Sequence, residues 1–432
     1  MGDQTMSVKL TDHEKALADG VHGKAKQKAM DLLIRYADAL GAERFCETNN
    51  VAGVWTVSNP ILRDYTRNGM DAVFSEFNLD SREVVETPHT EAYSCQLIQG
   101  VDPASPEMRE ATGDAADLQK AGEAYFGKRG VAMFSTCTPY QVGNVPVMGE
   151  HCAWMESSAV VYCNSVLGAR TNTEGRESTG AASITKRIPY WGYHIPENRR
   201  GTHLVEVDVD TDDIMDWGML GYWLGWEVEE DIPVLNGKLI SPSMIKLKHF
   251  GAAAASSGGV EMYHVPGTTP EARSVEDAFS GNRIRKTLRY GATERRKTYE
   301  DLNSTAKDSA VDFVMLGCPH NSIEQMSRVA RVLDGRKVSA SSALWVFTPR
   351  AIKDVSDRNG FTEIIEKAGG RVYVDTCPAI SRQMPKGTKV TAVDSAKQAH
   401  YLPAITGAQC WFGTVEDCVD AAVTGQWKGG LR

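Results

Sequence analysis

Three short apolar runs in this chain end in the same way. Val131 to Tyr140 reads Val-Ala-Met-Phe-Ser-Thr-Cys-Thr-Pro-Tyr, Val311 to Pro319 reads Val-Asp-Phe-Val-Met-Leu-Gly-Cys-Pro, and Arg371 to Pro378 reads Arg-Val-Tyr-Val-Asp-Thr-Cys-Pro. Each has the length and composition of a strand buried on both faces of a parallel sheet, bounded by turn residues. In each, a cysteine stands where the strand runs out and a proline follows within two residues. Ligands of open α/β sheets gather outside the carboxyl ends of the strands. Cys137, Cys318 and Cys377 are therefore expected to meet at one site.

The last third of the chain supports that reading. Strand 311–317, helix 323–333, strand 337–347, helix 350–368 and strand 371–376 alternate at the spacing of βαβ units, which makes the fold class α/β with parallel or mixed sheets flanked by helices. At the other end, Thr11-Asp-His-Glu14 fits a capping box. A helix should follow and stop near Gly41, with Gly20 and Gly23 setting its first turns apart. Residues 44–57 read as extended and lead to a turn at Ser58-Asn59-Pro60. Helices are expected at 71–77, 114–126 and 153–167, a strand at 203–209 and an element within 240–250. Gly251 to Gly259 reads as small and flexible. A charged stretch, 266–310, reads as a separator between domains.

The length of 432 residues exceeds one ordinary domain. The expected division is 1–110, a helical and extended region packing on the core; 111–300, a first α/β domain with Cys137; and 301–432, a second α/β domain with Cys318 and Cys377.

The net charge of −9 and the lack of a basic, aromatic-interleaved run exclude a nucleic-acid partner. No apolar stretch approaches the ~18 residues of a membrane span, and the polar first twenty residues do not read as a secretory signal. Nine scattered cysteines point to free thiols in a cytoplasmic compartment.

Three thiolates at one site suit iron-sulfur clusters or zinc. The close Cys-x-x-Cys pair of a zinc knuckle is missing, so a folded scaffold has to gather the ligands. Cys152 and Cys163 read as packing residues of the 153–167 helix, and Cys46, Cys95, Cys410 and Cys418 show no partner pattern. A Cys318–His320 nucleophilic pair is a competing reading. Glu156, Ser157 and Ser158 are polar within an apolar stretch. They make either a helix–loop contact or a carboxylate and hydroxyl aimed at a substrate, with Glu156 available for proton transfer. Asn164, Arg170 and Asn172 follow in a dense polar group, where Arg170 grips either a substrate carboxylate or a loop. Gly122 to Lys128 has P-loop glycine–lysine spacing, but Arg129 stands in place of Ser/Thr and the segment precedes a strand, so it reads as chance.

Taken together, Thr136-Cys-Thr-Pro-Tyr140, Gly149-Glu-His151, Glu156-Ser-Ser158 and the run Asn164 to Asn172 resemble the catalytic chain of the aconitase X family. So do Gly317-Cys-Pro-His320, Asp375-Thr-Cys377, Ala399-His-Tyr-Leu-Pro403 and the opening helix from Asp19 to Ala42. The resemblance implies a dehydratase built like aconitase domains 1–3, lacking the swivel domain, which a small partner subunit supplies. It implies an iron-sulfur cluster on Cys137, Cys318 and Cys377, of two-iron or four-iron type, with mononuclear iron also compatible. It implies catalytic roles at Glu156 and Ser157, a base supplied as a serine of the partner, and substrate contacts at Gly53, Val54, His89, Thr90, Asn164, Arg170, Asn172 and Ser395. The family has two activities: dehydration of cis-3-hydroxy-L-proline to 1-pyrroline-2-carboxylate, and dehydration of phosphomevalonate. Where the phosphomevalonate type is expected to carry Gly-Val-Ser and Thr-Leu-Asn-Pro, this chain has Gly53-Val54-Trp55 and roughly Pro88-His-Thr-Glu91. Trp55 would crowd a phosphorylated chain, so a small hydroxy acid with a ring is the expected substrate. A non-catalytic scaffold subunit is the alternative from another class.

Overall fold

Thr11 Oγ1 accepts from the Glu14 amide, and the Glu14 carboxylate accepts from the Thr11 amide at 2.8 Å. This reciprocal cap starts the helix Asp12–Ala18. A second helix, Lys24–Leu40, starts after Gly23 and stops at Gly41, whose φ of 67° is the left-handed form that terminates helices. The computed structural model describes residues 8–55, 68–94 and 100–432. The expected turn at Ser58-Asn59-Pro60 and Cys95 lie outside them.

The first sheet is parallel, with β2 (Asn50–Gly53), β3 (Ala92–Ser94), β4 (Val131–Ala132) and β5 (Cys152–Trp154) in the order β4-β3-β2-β5. A separate antiparallel pair joins β1 (Phe45–Glu47) to β6 (Arg187–Pro189). Strands from both sides of residue 110 share the first sheet, so a division at that point cuts through its hydrogen bonds. The run expected as one helix over 153–167 is instead β5 followed by the helix Ser157–Ser165. Glu156 lies two residues past the strand and caps the helix, and Cys152 is a strand residue. The P-loop lookalike lies within the helix Asp114–Gly127 and its C-cap.

The second sheet places β7 (His203–Val207) between β8 (Pro233–Gly237) and β9 (Lys286–Tyr290), all parallel. The stretch 266–310 therefore contributes a strand rather than only separating domains. Gly251 to Ser257 is not flexible: it is the second half of the helix Met244–Ser257. That helix lies so close to Ile214–Val228 that a Cβ on Gly221 would stand 2.3 Å from the Phe250 carbonyl oxygen. Small residues permit this approach.

The third sheet is parallel throughout: β10 (Phe313–Leu316), β11 (Ala343–Phe347), β12 (Arg371–Tyr373), β13 (Val390–Val393) and β14 (Gln409–Phe412), in the order β12-β11-β10-β13-β14. The helix Ile323–Leu333 falls at its expected bounds. The one expected over 350–368 breaks at Gly360 into Arg350–Arg358 and Phe361–Lys367. Strand order reverses between β10 and β13, which opens a crevice at their carboxyl ends. No described helix is long and apolar enough to cross a membrane.

Candidate active site

The three strand-end cysteines reach the same place by different paths. β4 is only two residues long, and Ser135, at φ 48°, bends the chain before Cys137. Cys318 follows β10 directly after Gly317, whose φ is 111° and whose added Cβ would stand 2.3 Å from the Phe347 carbonyl oxygen. Cys377 follows β12 after Asp375, which Arg350 holds by an ion pair. The His320 amide donates to Cys137 Sγ at 3.4 Å. Burial raises all three thiols, Cys137 to about 12, and Cys318 is raised further by Cys377 and Cys137. All three are free thiols. Convergent unpaired sulfurs, one receiving an amide N–H, are a donor set suited to iron or an iron-sulfur cluster.

His320 ties this centre together. Its Nδ1 is 2.9 Å from Thr136 Oγ1 and its Nε2 is 3.0 Å from the Thr376 carbonyl oxygen. Burial pulls it down to about 4, so the ring is neutral. With both nitrogens engaged elsewhere, it is not the base of a Cys318–His320 pair. Its carbonyl oxygen accepts from Lys248 at 2.8 Å and from Gln141 at 3.1 Å.

Glu156 occupies the N-cap of Ser157–Ser165. One carboxylate oxygen accepts from the Ala159 amide at 2.8 Å and from Ser158 Oγ at 2.6 Å. The other accepts from Lys397 Nζ at 2.8 Å. Lys397 lies in the first turn of the helix Ala396–Thr406, capped by Ser395, which follows β13 at the point of strand reversal. Burial opposes its charge, but Glu156 and the nearby thiols outweigh that and hold it protonated. Ser395 is thus a helix cap beside the site, and Lys397 is a residue that sequence reasoning missed.

Three family profiles cover the chain: "Aconitase X first domain" over residues 7–197, "Aconitase X second domain" over 201–300 and "Aconitase X third domain" over 311–424. The chain belongs to the aconitase X family. It is 35% identical over 419 residues to the phosphomevalonate dehydratase large subunit of Methanocaldococcus jannaschii, covering 94% of this chain and 98% of that one. It is 34% identical over 427 residues to the cis-3-hydroxy-L-proline dehydratase of Hypocrea jecorina, covering 97% and 69%. The solved structure of aconitase X from Thermococcus kodakaraensis in its holo-form superposes with a TM-score of 0.79 at 31% identity, covering 96% of this chain and all of that one. The chain is a hydro-lyase of this family, with its three-domain fold.

Within this aconitase X chain, the remaining expected contacts divide by sheet edge. Gly53 ends β2 on the same edge as Cys137 and packs on Thr179; Val54 is buried, and its carbonyl oxygen accepts from Asn78. His89 and Thr90 precede β3, so they stand at the amino edge, away from Cys137. Thr90 Oγ1 donates to the Ser183 carbonyl oxygen. Arg170 also lies at the amino edge, bridged to His151 just before β5, and donates to the His194 carbonyl oxygen at 3.4 Å. The Asn164 side chain makes four hydrogen bonds within the fold, two given and two received, which uses its full capacity. Asn172 holds the Trp191–Tyr193 turn. Ser157 lines a cavity of about 490 Å³ that also includes Asn172 and Glu261. Trp55 is fully buried, donates to the Tyr93 carbonyl oxygen and packs on Phe126. It is a core residue, and its bulk is no argument about substrate size.

Proposed function

We propose that Cys137, Cys318 and Cys377 hold an iron-sulfur cluster, and that this chain with a small swivel-domain subunit eliminates water from a small β-hydroxy acid, cis-3-hydroxy-L-proline first. The observation that carries this is the buried Glu156–Lys397 pair beside the three convergent thiols. The cluster, when bound, supplies a Lewis-acidic iron that makes a substrate hydroxyl a better leaving group. Lys397 offsets the negative charge of the sulfurs and offers N–H donors to a carboxylate. Glu156, fixed by the Ala159 amide and Ser158, orients the substrate hydroxyl through its second oxygen. The free described thiols suit a cytoplasmic setting.

A second reading, dehydration of phosphomevalonate, is favoured by the 35% identical relative that carries that name. With Trp55 in the core, the two substrates are separated by assay. The chain, co-expressed with its small subunit and purified anaerobically, is expected to contain iron and to turn over cis-3-hydroxy-L-proline. Cys137→Ser should lose iron, while Glu156→Gln should keep iron and lose at least about 100-fold in kcat. Turnover of phosphomevalonate alone overturns the first substrate. An iron-loaded complex inert on both identifies a scaffold or a different hydroxy acid, and an active complex without iron sinks the cluster.

A further inference from the structure

A second set of ligand-type side chains lies at the opposite edge of the first sheet. Cys46 on β1, His151 just before β5 and His194 in the single turn Gly192–His194 each offer one ligand atom, and these atoms all lie within 4.8 Å of one another. The two imidazole Nδ1 atoms are 3.0 Å apart. His151 precedes β5 and Glu156 follows it. Five residues of extended chain span roughly 15 Å, so this cluster is separate from the three strand-end cysteines. The fold holds each member in place: Cys46 through its register with Ile188, His151 through its β-bridge to Arg170, and His194 through the hydrogen bond its backbone N–H donates to the Trp191 carbonyl oxygen.

The plain alternative is two histidines sharing one proton beside a core thiol. That arrangement leaves His194 Nε2, in a fully buried residue, without a hydrogen-bond partner. Such groups are costly to bury. Around a tetrahedral zinc ion, ligand atoms stand about 3.3 to 3.6 Å apart, so closure from the observed positions needs shifts of about an ångström or less.

We propose that Cys46, His151 and His194 bind one thiophilic divalent cation of the zinc class, at a site distinct from the three-cysteine centre. The ligand set decides the class: a thiolate with two imidazoles favours zinc or cobalt over magnesium or calcium. Burial first, and the nearby Arg170 and Arg199 after it, disfavour the charged form of both imidazoles and leave them in the neutral, ligating form. Three protein ligands leave the fourth position to water or another small ligand. The bound ion would fasten β1, β5 and the 192–194 turn to one another.

The test uses cobalt(II) on the full chain carrying Cys137→Ser, Cys318→Ser and Cys377→Ser, which removes the other thiolate set. One equivalent is expected to give a sulfur-to-cobalt charge-transfer absorption that zinc displaces and that Cys46→Ser abolishes. In the wild-type complex, His194→Gln should weaken zinc binding at least tenfold and leave the iron content unchanged. Absence of the band in the triple variant, or its persistence with Cys46→Ser, overturns the proposal. X-ray absorption at the zinc edge of wild-type protein loaded with zinc keeps the test valid if the variants fold poorly. One sulfur with nitrogen neighbours supports the site, and an all-sulfur or all-oxygen shell sinks it.

Discussion

At the scale of the residue, the pairing of Glu156 with Lys397 is the feature with the sharpest consequences. Removing one member of a buried ion pair strands the other, which costs about 3–5 kcal/mol. Lys397→Met is expected to lower the denaturant midpoint accordingly and to reduce kcat by at least about 100-fold. Lys397→Arg should recover more stability than activity, because the forked guanidinium restores charge but not geometry. Glu156 was legible because a carboxylate interrupts an apolar stretch. Lys397 was not, since it lies 241 residues away and its role exists only after the chain has folded. Glu174 gives a pH prediction. Burial raises it from 4.5 to about 7. The folded chain therefore binds that proton more tightly than the unfolded chain does. Its contribution is full below about pH 4.5 and is lost as pH rises through 7. Glu174→Gln should raise the melting temperature at pH 8.5 and change it much less at pH 5, with a difference of at most about 3 kcal/mol.

At the scale of the element, small residues carried the ambiguity. A run such as Gly251 to Gly259 has the composition of a loop, and only its neighbour shows otherwise. Gly221 and Gly225 on Ile214–Val228 leave room for the Phe250 and Ala254 carbonyls, so the two helices touch backbone to backbone. Gly221→Ala is expected to cost about 1–3 kcal/mol in urea unfolding, because the atom in the way belongs to the main chain and cannot rotate aside. The third sheet was readable because hydrophobic periods of two and of 3.6 alternate with clear turns between them. The junction of β5 with Ser157–Ser165 was not, because an unbroken apolar run hides a change of period. The punctuation there is Glu156, whose capping bond is visible only in three dimensions. The first strand-and-cysteine run promised a long strand, but only Val131 and Ala132 pair, since Ser135 turns the chain out of the sheet.

At the scale of the molecule, the expected meeting of three distant cysteines depends on how the domains dock. His320 joins the Thr136 loop of the first domain to the Thr376 loop of the third, and its carbonyl oxygen takes Lys248 from the second. His320→Ala should leave each domain folded by circular dichroism and shorten iron retention under chelator challenge by at least about tenfold. His320→Gln, which can keep one of the two bonds, should fall between. Retention equal to wild type in both would show that the docking does not hold the site. The sequence motifs marked His320, but not its function as a tie, because that depends on loops 184 and 56 residues away.

The wide spacing of Cys137 and Cys377 along the chain also has a bearing on biogenesis. A ribosome must release Cys377 before the third sulfur exists, and the first and third domains must then close on His320. With the proposed cluster on these cysteines, iron insertion would be a post-translational event that discriminates finished chains from truncated or half-docked ones. Expression stalled before residue 377 should yield colourless protein in any growth medium, however rich in iron.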